Sequence, residues 1–243
     1  MRYTLTCGSE RGVALVIALM SMTLMLSLGG ALILLSSSET AIAANFRAAH
    51  EATYAADAVM ERTIADLGRV PDWTTVLDGS AQSFFIDGAS QGVRTLVDGS
   101  TIDLAEITNL ANCQKSTACS AADLAAITTE RPWGANNPRW TPYAYGALSD
   151  MLGIQSIHSG FYVVSFVGDD PSENDGDPTL DGFSVGGSAN PGRGLVVVRA
   201  EAFGPRNAHR VLQATVAQVE LPPTAPGEPI STELRVLSWR QLR

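Results

Sequence analysis

The densest group of side chains that could bind a ligand lies in residues 168–182, GDDPSENDGDPTLDG. Its carboxylates are Asp169, Asp170, Glu173, Asp175, Asp177 and Asp181. Carboxylates this close repel one another, and a hard cation such as Ca²⁺ relieves the repulsion by taking oxygen ligands, with Asn174 and backbone carbonyls completing its shell. An EF-hand frame fits poorly, because a loop ending its turn at Gly176 would place Pro171 at the first ligand position. Two interpretations stay open: a calcium site and a solvated, mobile acidic loop.

The sequence contains no catalytic motif. The histidines His50, His158 and His209 are scattered, there is no nucleophile elbow, and the glycine-rich residues 182–194 lack the order of a phosphate-binding loop. We therefore expect no enzymatic activity. The net charge of -9 and the absence of clustered Lys and Arg also argue against a nucleic-acid partner.

An uncharged apolar run occupies residues 13–35. At about 1.5 Å per helical residue it reaches the ~30 Å of a bilayer core, so we predict a transmembrane helix. Beyond Ser36 apolar residues recur every three or four positions, which predicts an amphipathic continuation of the helix to Leu67, ended by Gly68 and Pro71. The predicted stripe is Ile42, Phe46, Ala49, Thr53, Ala56, Met60, Ile64 and Leu67.

The residues before the apolar run, MRYTLTCGSERG, form a polar leader with Arg2 and Arg11, and it ends in Gly12. An ordinary secretory signal places its small-residue cleavage site after the apolar region, whereas here the small residue precedes it. This order suits a peptidase that cuts on the cytoplasmic side and leaves the helix on the mature chain, with the arginines holding the N-terminus inside. Cys7 is not a lipoprotein cysteine, because no apolar region precedes it.

The stretches SERGVALVIALM and SSSETAIAANFRAAHEATYAADAVMERTIADL resemble the N-terminus of PilX-type minor pilins of type IV pili, and RPWGANNPRW resembles sequence in the heads of such proteins. The resemblance implies that Gly12 is the last leader residue and that prepilin peptidase exposes and methylates Val13. It also identifies one departure from major pilins, since Ile17 stands at the fifth mature position, where those carry Glu. PilX-type subunits and the K-type minor pseudopilin of type II secretion share this lack of a glutamate.

Three cysteines are present, and Cys7 would leave with the leader. Cys113 and Cys119 then remain as a pair in a compartment that permits oxidation, so we predict a disulfide. Closing so short a loop contributes only ~2 kcal/mol in the chain-entropy model. A zinc site is disfavoured, because the two thiols have no nearby histidine.

The remainder of the chain predicts an α+β head. Residues 83–86 and 93–97 look like a hairpin, residues 103–111 like a helix, and Ser120 to Asp123 like a capping box that opens a second one. We expect Trp133 and Trp140 to anchor an irregular loop on the sheet.

The later strands carry clearer signals. Residues 161–167 form a continuous apolar run, and residues 195–203 and 211–219 predict an antiparallel hairpin. Residues 234–239 predict either an additional edge strand or a packed loop.

The complete prediction has four parts: a leader at 1–12, a transmembrane half-helix at 13–35, an amphipathic half-helix at 36–67 and a head at 68–243. The fold is α+β and pilin-like, with a long N-terminal helix packed on an antiparallel sheet.

The resemblance implies a minor pilin that initiates or caps a type IV pilus. Its location would be the inner membrane, in a single pass with the head in the periplasm, and then the surface pilus. Its partners would be the prepilin peptidase and other minor and major pilins. The alternatives are a minor pseudopilin of type II secretion and a calcium-dependent tip adhesin, and calcium is the only cofactor that the residues suggest.

Overall fold

The computed structural model describes residues 11–151, 159–172, 177–182, 194–221 and 231–242. The chain divides into two compact units, Met1–Arg47 and Ala48–Arg243. The division falls within one continuous helix, α1 (Arg11–Leu67), so the last part of that helix belongs to the second unit.

In the first unit, α1 carries no charged side chain from Val13 to Ser38. Its hydroxyl groups donate to carbonyls one turn earlier, as in Ser21 to Ile17 at 2.8 Å, Thr23 to Met20 at 2.9 Å and Ser27 to Leu24 at 2.8 Å. These bonds satisfy the hydroxyls inside the helix, which a helix in lipid requires. By length and composition α1 can cross a membrane.

In the second unit, the end of α1 buries one face against the sheet. The buried residues are Ala52, Ala55, Ala56, Val59, Met60, Thr63, Ile64, Asp66 and Leu67. The predicted stripe is thus confirmed from Ala56 onwards, whereas Ile42 and Phe46, which lie in the first unit, are exposed. The helix ends at Leu67 as predicted, and Trp73 fixes this end because its Nε1 donates to the Leu67 carbonyl at 3.1 Å.

Five antiparallel strands form the main sheet, and each lies beside the next one along the chain. The strands are β3 (Thr141–Ala147), β4 (Tyr162–Asp169), β5 (Leu195–Gly204), β6 (Ala208–Leu221) and β7 (Ser231–Gln241). The predicted β5–β6 hairpin is confirmed, with a short 3-10 turn at Pro205–Asn207. Of the two interpretations of residues 234–239, the edge strand is the one observed.

The two faces of the sheet pack against different helices. Val163, Ser165 and Val167 of β4 face α1, and Thr63 Oγ1 lies 2.7 Å from Ser165 Oγ. The alternate residues Tyr162, Val164 and Phe166 face the other way and pack with α3 (Leu104–Cys113). The sheet is therefore the middle layer of the second unit.

The second unit also contains smaller elements. They are α2 (Thr74–Leu77), the paired strands β1 (Val93–Thr95) and β2 (Thr101–Asp103), and α4 (Ala121–Leu124). The predicted helix at 103–111 is confirmed as α3, and Ser120 and Asp123 form the predicted capping box.

The predicted hairpin between residues 83–86 and 93–97 is wrong. β1 pairs with β2 instead, and Ile86 bridges to Tyr145 of β3. Ser83 N donates to the Tyr143 carbonyl and Tyr145 N to the Phe85 carbonyl, both at 3.0 Å. The apolar residues in this segment therefore reflect docking along the edge of β3.

Candidate functional site

The predicted cleavage point lies within α1. The described part of this helix starts at Arg11 and contains both Gly12 and Val13. Val13 is 62% exposed and Ile17 is 58% exposed. From Val13 to Ser38 the helix carries no charged residue, and the first carboxylate after the apolar run is Glu39. The apolar surface of this unit is therefore open to lipid or to other helices.

Cys113 and Cys119 form the predicted disulfide, with their Cα atoms 6.0 Å apart. Cys113 is the last residue of α3, and Cys119 precedes Ser120, the N-cap of α4. The loop between them is also held by an ion pair from Lys115 to Asp123. The hydrogen bond from Lys115 and those from Ser120 lower the pKa of Asp123 to about 2.

The acidic segment is described only in part. Glu173 and Asp175 lie outside the described residues. Asp170 accepts from Ser172, and Asp177 accepts from Thr179 Oγ1 at 2.6 Å, which is the main reason why the pKa of Asp177 is lowered.

Asp169 and Asp181 complete the described carboxylates of this segment. Asp169 is buried at the end of β4, and Asp181 Oδ1 accepts from Gly194 N at 2.7 Å. Within the part of the chain that the structure describes, no three His, Cys, Asp or Glu side chains are grouped closely enough to hold a metal ion. The calcium site therefore stays a prediction.

A groove of about 1140 Å³ lies over the outer face of β5, β6 and β7, beside α3 and the loop that carries Trp133. Trp140 is buried as predicted and packs with α3, whereas Trp133 is 43% exposed at the rim of this groove. One of the two tryptophans therefore anchors the loop.

Glu201 lies at the floor of the groove and is only 3% exposed. Its Oε1 is 2.6 Å from Arg199 Nε, and its Oε2 is 2.8 Å from His209 Nε2. The His209 ring stacks on Phe203 with centroids 4.5 Å apart. Burial by itself raises the pKa of Glu201, but the hydrogen bond from His209 and the charge of Arg199 outweigh it, and the pKa is lowered. Both carboxylate oxygens are thus engaged, which suits a structural ion network better than a general base.

Arg131 is a second buried charge at this groove. Its Nη2 donates to the carbonyls of Leu124 at 3.3 Å and Pro138 at 3.2 Å, while its Nε and Nη1 have no partner among the described residues. Burial lowers the pKa of Arg131. The guanidinium therefore joins α4 to the loop that precedes β3.

Sequence reasoning did not identify this network. Alternation along β5 marks Arg199 and Glu201 as residues that point away from the α1 side of the sheet, and we expect such residues to be solvated. Glu201 is instead only 3% exposed, and its two carboxylate oxygens contact Arg199 and His209. The sequence signal that could have identified this network is a pair of opposite charges two residues apart in an otherwise apolar strand.

Comparisons with protein-family models, with curated proteins and with solved structures find no significant match for this chain.

Proposed function

We propose that this chain is a minor pilin that acts in type IV pilus assembly and initiates or caps the fibre tip. The observation that carries the proposal is α1, one unbroken helix that is uncharged from Val13 to Ser38 and then packs on an antiparallel sheet from Ala52 onwards. A subunit that moves from a bilayer into a fibre needs an apolar helix that both lipid and neighbouring helices can cover. Exposed Leu, Met and Ile side chains and internally satisfied hydroxyls meet that need.

The N-terminus supports the same proposal. Gly12 stands between a charged leader and the uncharged helix, so a prepilin peptidase would cut after Gly12 and methylate Val13. The arginines of the leader would keep the N-terminus in the cytoplasm and place the head in the periplasm. An oxidising periplasm suits the Cys113–Cys119 disulfide.

Ile17 supports a position at the fibre tip. A glutamate at the fifth mature position would pair with the free amine of the subunit inserted just before, because a lone charge in the bilayer costs ~2.5–3.5 kcal/mol even on the lenient insertion scale. A subunit with Ile17 has no carboxylate to offer a predecessor, yet its Val13 amine can receive a successor. Such a subunit is best suited to being first in a fibre that grows from its base.

Gold labelling of the head on sheared pili tests this position. We expect signal at one end of the fibre. Ile17→Glu supplies the missing carboxylate and should spread the signal along the shaft, whereas Val16→Glu, one position away, should not. Signal distributed along the shaft in the unmodified chain would contradict the tip assignment.

Two alternative functions can be distinguished from the minor pilin by experiment, the first by deleting the gene for this chain. Loss of surface pili supports the minor pilin, whereas loss of protein secretion with pili intact supports a minor pseudopilin of type II secretion. A calcium-dependent tip adhesin is motivated by the acidic residues 168–182. It predicts surface binding that chelators abolish while fibres persist.

A further inference from the structure

The two edge strands of the main sheet differ in what pairs with them. Residues 83–86 dock along β3 and hydrogen bond to Tyr143 and Tyr145. β7, at the other edge, pairs only with β6 among the described strands. Among the described residues, no strand pairs with the outward row of N–H and C=O groups on β7. This row is therefore available to a strand from another molecule.

β7 also exposes apolar side chains along its length. Val236 is 47% exposed, Leu237 is 59% exposed and Trp239 is 40% exposed. The strand extends from Ser231 to Gln241 and contains no proline. A long edge strand with exposed apolar residues invites strand pairing unless something covers it.

The pairing with β6 shows which residues of β7 share a face. One face, on the α1 side of the sheet, carries the residues opposite even-numbered residues of β6: Thr232, Leu234, Val236, Trp239 and Gln241. The other face carries the residues opposite odd-numbered residues of β6: Glu233, Arg235, Ser238 and Arg240. The change of parity comes from a bulge at Leu237, which has no partner on β6.

We propose that β7 pairs antiparallel with β7 of a second copy of this chain, in the register that sets Glu233 opposite Arg240 of the partner subunit. In that register Leu234 lies opposite Trp239 of the partner subunit, and each of these pairs shares one face of the joined sheet. Two-fold symmetry repeats every pair, so one strand supplies two ion pairs and two apolar pairs. The inference concerns the head alone and goes beyond the proposed role in fibre assembly.

The charges of β7 select this register. Arg240 forms no ion pair with any described residue, and Glu233 reaches only Arg235, at 3.4 Å, with both side chains about half exposed. Sliding the strands by two residues in one direction sets Arg235 opposite Arg240 of the partner subunit, and like charges directly opposite destabilise a sheet. Sliding them by two in the other direction sets Glu233 opposite Ser238 of the partner subunit and loses the opposite-charge pair.

Cysteine cross-linking tests the pairing in the full chain, purified in detergent. Thr232→Cys and Gln241→Cys are introduced together in a Cys7→Ser background, since the proposed register places these two positions opposite each other in different copies. Within one strand they are about 30 Å apart at ~3.4 Å per residue, so a disulfide between them joins two copies. We expect a disulfide-linked dimer on a non-reducing gel, and its absence would overturn the proposal.

Charge exchange then tests the register. In the cysteine reporter, Glu233→Arg or Arg240→Glu alone should lower the dimer yield several-fold, because each sets like charges opposite one another. The double variant should restore the yield. Glu61→Arg, the same change at an exposed site on α1, should leave the yield unchanged, and the melting temperature of each variant shows whether it folds.

Two results would overturn the proposal even if a dimer forms. One is a dimer yield that stays the same in the single charge variants, which would show that the apolar helices drive association. The other is a reporter that couples in cells to a different protein and not to itself, which would show that another strand occupies this edge.

Discussion

Neutralising Glu201 should destabilise the head measurably, since this buried carboxylate engages Arg199 at 2.6 Å and His209 at 2.8 Å. Glu201→Gln keeps the shape of the side chain and removes its charge. A hydrogen bond to a charged group contributes about 1.5–3 kcal/mol, and the partial exposure of Arg199 and His209 favours the lower part of that range. A loss of about 2 kcal/mol lowers Tm by roughly 4–8 °C for a chain of this size.

The assay is thermal unfolding of the full chain in detergent, followed by circular dichroism. Glu61→Gln is the matched control, because Glu61 is an exposed carboxylate on α1 whose neutralisation should change Tm by less than about 2 °C. A Tm loss for Glu201→Gln no larger than that of the control would refute the network as a source of stability.

The same pair of proteins predicts a pH dependence. The pKa of Glu201 is lowered in the folded chain, so its contribution to stability is complete above the ordinary pKa of glutamate and is lost as the pH falls through the lowered value. The Tm difference between the unmodified chain and Glu201→Gln should therefore shrink in acid. A difference that grows as the pH falls would contradict the direction of the shift.

Three further outcomes are expected. Millimolar-scale calcium should raise Tm relative to chelator if residues 168–182 bind it with the ~10⁻⁴ to 10⁻³ M affinity of extracellular sites, and an unchanged Tm would count against that site. Replacing Cys113 and Cys119 together by Ser should lower the free energy of unfolding by ~2 kcal/mol in denaturant titrations, and equal stability would show that the disulfide is dispensable. Gly204→Ala should destabilise by ~1–3 kcal/mol, since its Cβ would overlap the Phe161 ring, and adding Phe161→Leu should recover part of that loss; a double variant no more stable than Gly204→Ala would refute the overlap.

The sequence predicted the elements that are determined by residues close together in the chain. An uncharged run longer than a bilayer core predicted α1. The presence of two cysteines after the leader predicted the Cys113–Cys119 disulfide. Alternation of apolar and polar residues around the turn at Pro205–Asn207 predicted the β5–β6 hairpin. Ser120 and Asp123 predicted the start of α4 through their capping box. Each signal depends on residues close together in the chain.

The elements that were missed depend on distant contacts. β3 contains Pro142 and Gly146, which argue against a strand, yet the Phe85 ring packs closely on Gly146, where an added Cβ would lie 3.0 Å from the ring. The environment of Glu201 includes His209 on the neighbouring strand β6, which alternation along β5 cannot reveal. Composition identified the acidic segment, but the positions of its carboxylate oxygens depend on the folded structure and not on composition.

The mature N-terminus tests the proposed function most directly. Mass spectrometry of the chain recovered from sheared pili should find an N-terminal peptide that begins at N-methylated Val13. Gly12→Leu should leave full-length chain in the membrane, whereas Gly8→Leu, a matched change inside the leader, should be processed normally. A chain on the fibre that begins at Met1, or at any residue other than Val13, would contradict the account.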